Sequence, residues 1–458
     1  MKANWRTIDR VAGYGIPSFF LLCLLIGGGS SRNDVPMLLL VRPAALAVIA
    51  LVLLRARPSE LKMAGGPLLF IVAVLGIMLL QLVPLPPAVW LSLPGRGFYA
   101  EAANVAGLAQ PWRPISLSPD LTIEAILGLL PALAAVLLFG LSDPPTRRAA
   151  MLCLIWITVI SVLLAVLQQS GGPHSELRFY QYTNEDAGVG LLANRNHQAL
   201  LMAMGIPTAA WWASRPGRII DSPVIRLAIG ASLVFACLIG AVLTESRIGL
   251  LVCGVALLFA VAIVWPTLRT WPRVIRLSAV FFLVGATLSA VMVLPAHRLS
   301  LALFLNDPRA NFWPRVVAAL HEFFPLGAGF GTFERVYPRF ETLADVTPQY
   351  LNRAHNDFLE LGVEAGILGY ALLLVFLGWW LLHSFRVWRP QPLAPDLLLG
   401  RLGSALITLA MLASVTDYPL RTPLLGTVFV VACVVLSKSS GALRARGTAR
   451  TDGPERSG

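Results

Sequence analysis

The chain has 458 residues, 57% of them hydrophobic and only 13% charged, and its mean hydropathy is +0.73. Soluble domains carry about 25% charged and about 45–50% apolar residues, so a soluble multidomain enzyme, a disordered chain, a coiled coil and a disulfide scaffold are excluded. The formal charge of +12 keeps a nucleic-acid partner in view only until the charges are placed along the chain.

Apolar stretches of the length that crosses a bilayer, ~20 residues, recur with short polar breaks. They fall at 12–29, 36–54, 65–83, 121–141, 149–168, 197–213, 224–243, 248–265, 277–294, 356–382, 402–418 and 422–437. The expected fold is all-α, a polytopic membrane bundle of about 12 transmembrane helices. Arg42-Pro43 interrupts the second segment. The first follows Lys2, Arg6 and Arg10 and ends in the small residues Gly27–Ser31, as a signal peptide would. It is read as a retained helix, because that gives the orientation the later loops require.

Alternate threading from a cytoplasmic N-terminus puts most of the 36 basic residues but few of the 24 acidic ones on the inner side. Arg55, Arg57 and Lys62, then Arg147 and Arg148, Arg215 and Arg218, Arg269 and Arg273, and Arg386 and Arg389 all fall in short inner loops, as the positive-inside rule expects. The net charge is thus a topology signal, and nucleic-acid binding loses its support. Residues 1–294 hold helices one to nine, with outer segments near 84–120 and 169–196. Residues 295–355 form a long, partly helical outer loop, 356–437 carry helices ten to twelve, and 438–458 form a polar, basic, disordered inner tail. Loops as long as 295–355 are usually functional. Within it Arg309, Trp313, Val316, Val317, Leu320 and Phe324 share one helical stripe, which predicts an amphipathic helix lying over the bundle. The five cysteines all lie in apolar segments and are read as core-filling residues.

The chemistry gathers on the outer side. Arg195 and His197 open the sixth helix, and Thr244–Arg247 fill the turn between the seventh and eighth. The long loop supplies Arg309, the run Pro325–Phe333, and Arg353-Ala354-His355-Asn356, which passes straight into the tenth helix. Arg353, Asp357, Glu360 and Glu364 form one polar stripe on that otherwise apolar helix. Intramembrane charges face a bundle interior or a wet cavity. Gly362, Gly366 and Gly369 would let a neighbouring helix approach. Arginines without lysines at one face suit bidentate binding of phosphate or pyrophosphate, and a His beside carboxylates can take a proton from a sugar hydroxyl. Each residue also has a plainer reading. An arginine can anchor at headgroup level, and Glu360 and Glu364 can be structural partners of Arg195 or Arg247. His197 is weighed below His355, which starts the helix carrying the stripe. No metal-ligand spacing is present, and the glycine run lacks the Lys-Ser/Thr of a nucleotide loop.

With these residues assembled, the chain resembles the O-antigen ligase and polymerase family of bacterial polysaccharide assembly. The resemblance rests on Arg309–Trp313, Pro325–Phe333, Ala354–Glu360 and Glu364–Gly369, with Thr244–Gly249 and Asn194–Asn196 upstream. It implies a metal-independent polytopic (GT-C type) glycosyltransferase of the bacterial inner membrane. That enzyme would need no cofactor, with both termini cytoplasmic and the site facing the periplasm. The donor would be a sugar chain on undecaprenyl pyrophosphate. The acceptor would be lipid A–core for a ligase, or a lipid-linked repeat unit for an O-antigen or exopolysaccharide polymerase. A protein oligosaccharyltransferase, and a lipid-linked sugar flippase from another class, are the remoter alternatives. His355 would position or deprotonate the acceptor hydroxyl, and Arg195 and Arg247 would hold the donor pyrophosphate. Arg309 and Arg353 would be secondary phosphate-binding or loop-ordering residues, with Asn356, Asp357, Glu360 and Glu364 in support.

Overall fold

The computed structural model describes residues 18–29, 32, 35–215, 220–269, 272–273, 285, 309–343, 351–389 and 394–451. Nearly all of them are helical. In chain order the longer helices are α1 (18–26), α2 (Leu38–Arg55), α3 (Gly65–Gln81), α4 (Pro87–Leu91), α5 (Gly97–Val105), α6 (Pro119–Gly128) and α7 (Leu130–Leu141). They continue as α8 (Pro144–Ser170), α9 (Arg195–Ser214), α10 (Pro223–Leu243), α11 (Arg247–Leu268), α12 (Arg309–Phe323), α13 (Asp357–Trp388), α14 (Pro395–Ser414) and α15 (Pro423–Thr451). Two residue pairs, Pro84-Leu85 and Arg113-Pro114, form a small antiparallel ladder.

The helix starts follow from local chemistry. Asp143, Asn194, Ser222, Ser246 and Asn356 cap α8, α9, α10, α11 and α13 by accepting backbone N–H groups of the first turn, and proline occupies the first helical position of α6, α8, α10 and α14, where its missing N–H has no partner to lose. Eight helices among the described residues are long and apolar enough to cross a membrane, α6 and α7 together counting as one. The apolar helix α3 is shorter. Large apolar side chains such as Leu39, Leu54, Leu69, Trp156, Leu258 and Leu374 are exposed on the perimeter, as a surface solvated by lipid requires. The chain is therefore a polytopic helical membrane protein. The expected segment at 277–294 lies outside the described residues except for Gly285.

The bundle is built around α9, buried on nearly every residue and packed between α8, α10, α11 and α14. Buried side chains from α14 and α15 extend the same core. Successive helices run alternately, so the starts of α9, α11, α13 and α15 and the ends of α1, α10 and α14 meet at one end. Backbone bonds such as Ala193 N–H to the Gly28 carbonyl (3.0 Å) and Leu424 N–H to that of Gly27 (2.9 Å) tie that end together.

Three expectations are corrected. The helix of the long loop is present, but its buried face carries Val316, Ala319 and Phe323, while Val317 and Phe324 are largely exposed. The Phe323 ring fills the space above Gly95. Second, the tenth predicted helix, α13, is broken: Gly366 sits at φ 55° and separates the acidic first part from the apolar remainder. A Cβ there would collide with the Pro325 carbonyl oxygen. Of the three glycines expected to admit a neighbouring helix, only Gly362 does so, facing Leu320 of α12. Third, where a disordered tail is expected from Lys438, α15 runs on through Thr451. Ser439 and Ser440 are buried against the bundle, and the following Ala-Leu-Arg-Ala-Arg is strongly helix-forming.

The break in α13 explains the glycine run. Gly329 N–H donates to the Glu364 carbonyl (3.0 Å), Ala328 N–H to that of Val363 (2.8 Å), and Ile367 N–H to that of Pro325 (2.8 Å). Gln81 of α3 accepts from Phe330 N–H (2.9 Å) and donates to the Glu364 carbonyl (2.9 Å). Arg96, fully buried, donates to the carbonyls of Ile115 and Gly327, and burial lowers its pKa to about 10. The run is a knot of backbone bonds that fixes the kink, and these amides are not offered to a ligand.

Candidate active site

His355 stands on a short segment held from both sides. Trp313 of α12 donates its indole N–H to the Ala354 carbonyl (3.0 Å), Ala354 N–H donates to Glu360 Oε2 (2.9 Å), and Asn356 caps α13 by accepting from Phe358 and Leu359 N–H (3.0 Å each). Between these clamps His355 adopts φ 48°, a left-handed conformation that costs a non-glycine residue of order 1–3 kcal/mol and persists only where the surroundings impose it. The strained turn aims the imidazole at the turn after α14: His355 Nδ1 lies 3.5 Å from Asp417 Oδ1. Tyr418 stands edge-on at 4.9 Å and Phe312 at 6.0 Å between ring centroids. A quarter of the side chain remains exposed.

Asp417 is the hub. Its Oδ2 accepts from Asn196 Nδ2 (2.6 Å) and its Oδ1 from Tyr418 N–H (2.9 Å), and His197 Nε2 approaches Oδ1 at 3.7 Å. Burial alone would raise the Asp417 pKa. His197 and His355 more than reverse this and hold it well below the usual carboxylate range. Tyr418 moves the other way: burial, then the Asp417 charge, push the phenol up and keep it neutral. Asn196 Oδ1 accepts from Ser246 Oγ (2.8 Å), which also caps α11 by accepting from Gly249 N–H (3.0 Å). Three helix N-termini, those of α9, α11 and α13, are thereby joined around one carboxylate, and each presents the positive end of its dipole.

Beside the hub lies a charged cluster. Arg421 Nη2 meets Glu360 Oε1 (3.1 Å) and Glu364 Oε2 (3.0 Å), and Nε lies 3.7 Å from Asp357 Oδ1. Arg353 Nη1 reaches the same Glu360 Oε1 (3.1 Å), and Ser414 donates to Asp357 Oδ2 (2.8 Å). Burial would lower the pKa of Arg421; Glu364, Glu360 and Asp357 outweigh it and raise the value. The stripe predicted on α13 is present. Its acids pair with Arg353 and Arg421 rather than with Arg195 or Arg247, because the first part of α13 faces the turn before α15. An apolar cavity of about 400 Å³ opens beside the cluster between α3, α6, α13 and α15, with Glu124, Arg353, Asp357 and Arg421 among its polar lining groups.

Of the other predicted arginines, Arg195 and Arg247 occupy first helical positions. Arg195 opens α9; its N–H donates to Asn184 Oδ1 (2.9 Å), and Nη1 lies 3.2 Å from the exposed Asp186. Arg247 opens α11 directly after Ser246. Arg309 lies on α12, one turn before Trp313. Asp417, Tyr418 and Arg421 are absent from the sequence-based set of site residues. The available signal was an Asp between an apolar helix and the next proline, Thr416-Asp417-Tyr418-Pro419. Among the described residues no group of three His, Cys, Asp or Glu side chains is arranged to hold a metal ion.

A search of curated proteins gives no match. Residues 232–374, which include Arg247, Arg309, the glycine run and His355 but neither Asn196 nor Asp417, match the family model described as O-antigen ligase.

Proposed function

We infer that the chain is an inner-membrane glycosyltransferase that moves a sugar chain from undecaprenyl pyrophosphate to an acceptor sugar hydroxyl on the periplasmic side, with lipid A–core as the acceptor. The observation that carries this reading is the His355–Asp417 pair at the meeting point of three helix N-termini. With Nδ1 turned to Asp417, Nε2 is left to take the hydroxyl proton. The acceptor oxygen then bonds to the anomeric carbon as the bond from that carbon to the pyrophosphate oxygen breaks, with inversion. The proton stays on the imidazole, where the buried carboxylate stabilises the cation. The pyrophosphate leaves with its charge against Arg195, Arg247 and Arg309, aided by the helix dipoles. Arg353 orders the His355 turn through Glu360. The apolar cavity gives the carrier's hydrocarbon chain a place beside the site.

Replacement of His355 by Ala is expected to abolish transfer in a purified assay at unchanged protein level; full activity in that variant would overturn the assignment. Lipid-linked sugars that accumulate on gene deletion separate the acceptors: full-length chains on the carrier mean a ligase, single repeat units a polymerase. A flippase would carry its ionisable groups near the midplane. Here the acids of α13 precede the break at Gly366 and gather with Asp417 at one end.

A further inference from the structure

His197 has no place in the mechanism above, although it is almost completely buried, at 1% side-chain exposure. Neither ring nitrogen has a hydrogen-bond partner. An imidazole so placed normally finds one, because an unmet polar atom in the interior costs about 1–3 kcal/mol. The group it faces is the Asp417 carboxylate, across 3.7 Å from Nε2 to Oδ1. Its ring also stands edge-on to Tyr418 at 5.3 Å, as that of His355 does at 4.9 Å. The two histidines therefore flank one Tyr-Asp unit, one from the buried side and one from the open side.

The acceptor capacity of the carboxylate makes this arrangement informative. A carboxylate oxygen offers two lone pairs. Oδ1 has given one to Tyr418 N–H, and Asn196 holds Oδ2. One position remains on the oxygen that both imidazoles face, and both stand just beyond bonding length, at 3.5 Å and 3.7 Å. A small cavity lined by His197, Asn196, Leu200, Gly249 and Asp417 adjoins the ring and gives it room to close that gap. Resting on the transfer reaction proposed above, we propose that His197 is a positioning residue: a second imidazole donor that shares Asp417 with His355 and keeps the carboxylate ionised and aimed while His355 takes the acceptor proton on Nε2. Without it, the buried carboxylate would be held on that side by His355 alone through the proton transfer. The ionisable groups facing this carboxylate are His197 from α9, His355 and Asp357 from the start of α13, and Tyr418 from its own turn; Ser246 of α11 reaches it only through neutral Asn196.

The test compares His197→Leu with His197→Gln in the purified protein, using a lipid-linked donor and acceptor over a range of pH. The Leu variant is expected to lose roughly tenfold or more in kcat, with donor KM unchanged. The acid limb of its kcat/KM profile should move to higher pH, since Asp417 then takes up a proton more readily and His355 gains the vacated oxygen. The Gln variant, whose amide can donate to the same oxygen, should recover most of the rate and the original limb. A Leu variant with wild-type kcat and pH profile would overturn the inference. Equal loss in both variants without movement of the limb would overturn it too, since that is the signature of packing alone. His355→Ala in the same assay keeps the two readings apart: activity there refutes the proposed transfer chemistry itself, whereas its loss beside unaffected His197 variants refutes only the role of His197.

Discussion

Asp417→Asn isolates the charge on which the site depends. The substitution keeps the size of the side chain and one carbonyl oxygen, so Tyr418 N–H or Asn196 Nδ2 can still find an acceptor, but it removes the anion that faces His355 at 3.5 Å. Two unit charges at about 4 Å interact by about 4 kcal/mol at the effective dielectric typical of protein sites. His355 is a quarter exposed, so solvent screening reduces this to about 3 kcal/mol. Because the imidazolium exists only as the hydroxyl proton is taken, that loss falls on the transition state and lowers kcat by roughly a hundredfold. The assay is the rate of sugar transfer at saturating donor and acceptor, with thermal unfolding measured in parallel. A rate within threefold of wild type would refute the argument, as would a fall matched by loss of folded protein. The pH dependence has a definite sign. The folded-state pKa of Asp417 is depressed, so its contribution to stability is fully present above the ordinary carboxylate value, about 3.9, and is lost only as pH falls through the depressed one. Wild-type unfolding temperature should therefore carry no loss from Asp417 in mild acid, and the Asn variant should lack that contribution at neutral pH.

Arg421→Ala leaves Glu364 and much of the Glu360 charge buried without a counter-ion, and breaking a buried pair in this way costs about 3–5 kcal/mol; thermal unfolding in detergent should show a large drop, and an unchanged midpoint would count against the cluster as scaffold. Gly366→Ala places a Cβ against the Pro325 carbonyl at φ 55° and should abolish accumulation of folded protein, while Gly378→Ala on the same helix, where nothing lies within 4 Å, should be tolerated. The Arg195–Asp186 pair is exposed enough to be worth only about 0–1 kcal/mol, which leaves the guanidinium able to turn to an anion. Arg195→Ala should therefore raise donor KM at least about tenfold without changing acceptor KM, and Arg195→Lys should rescue it only in part because the bidentate fork is lost; equal effects on both substrates would remove Arg195 from the pyrophosphate site.

The parts of the site that lie within one helical turn of each other were legible in the sequence. His355, the Asn356 cap and the stripe Asp357, Glu360 and Glu364 follow from spacing on a single element, and so does the charge pattern that marks the chain as membrane-spanning. What escaped was partnership across elements. Spacing on α13 requires a cation opposite its acids, but it cannot distinguish Arg421 from Arg195 or Arg247; only the kink at Gly366 and the turn before α15 decide that. Asp417 is invisible for the same reason, since its partners come from α9 and from the residue before Asn356. The glycine run lacks the Lys-Ser/Thr of a nucleotide loop, and its purpose depends on bonds to carbonyls that a regular helix would not expose.

Two acids of α13 are engaged within the cluster itself. Glu360 has both oxygens engaged: Oε1 receives Arg353 and Arg421, and Oε2 receives the Ala354 N–H. It is wholly buried. A carboxylate so occupied and so buried turns neither oxygen to an open space. Its effect on chemistry passes through Ala354 to the next residue, His355, whose left-handed backbone would relax if that bond were absent. Glu364 is similarly tied to Arg421 and to Phe333 N–H, and so anchors the kink below the turn. The acids of α13 build a rigid seat, the seat holds one histidine in a strained conformation, and the strain points that histidine at Asp417.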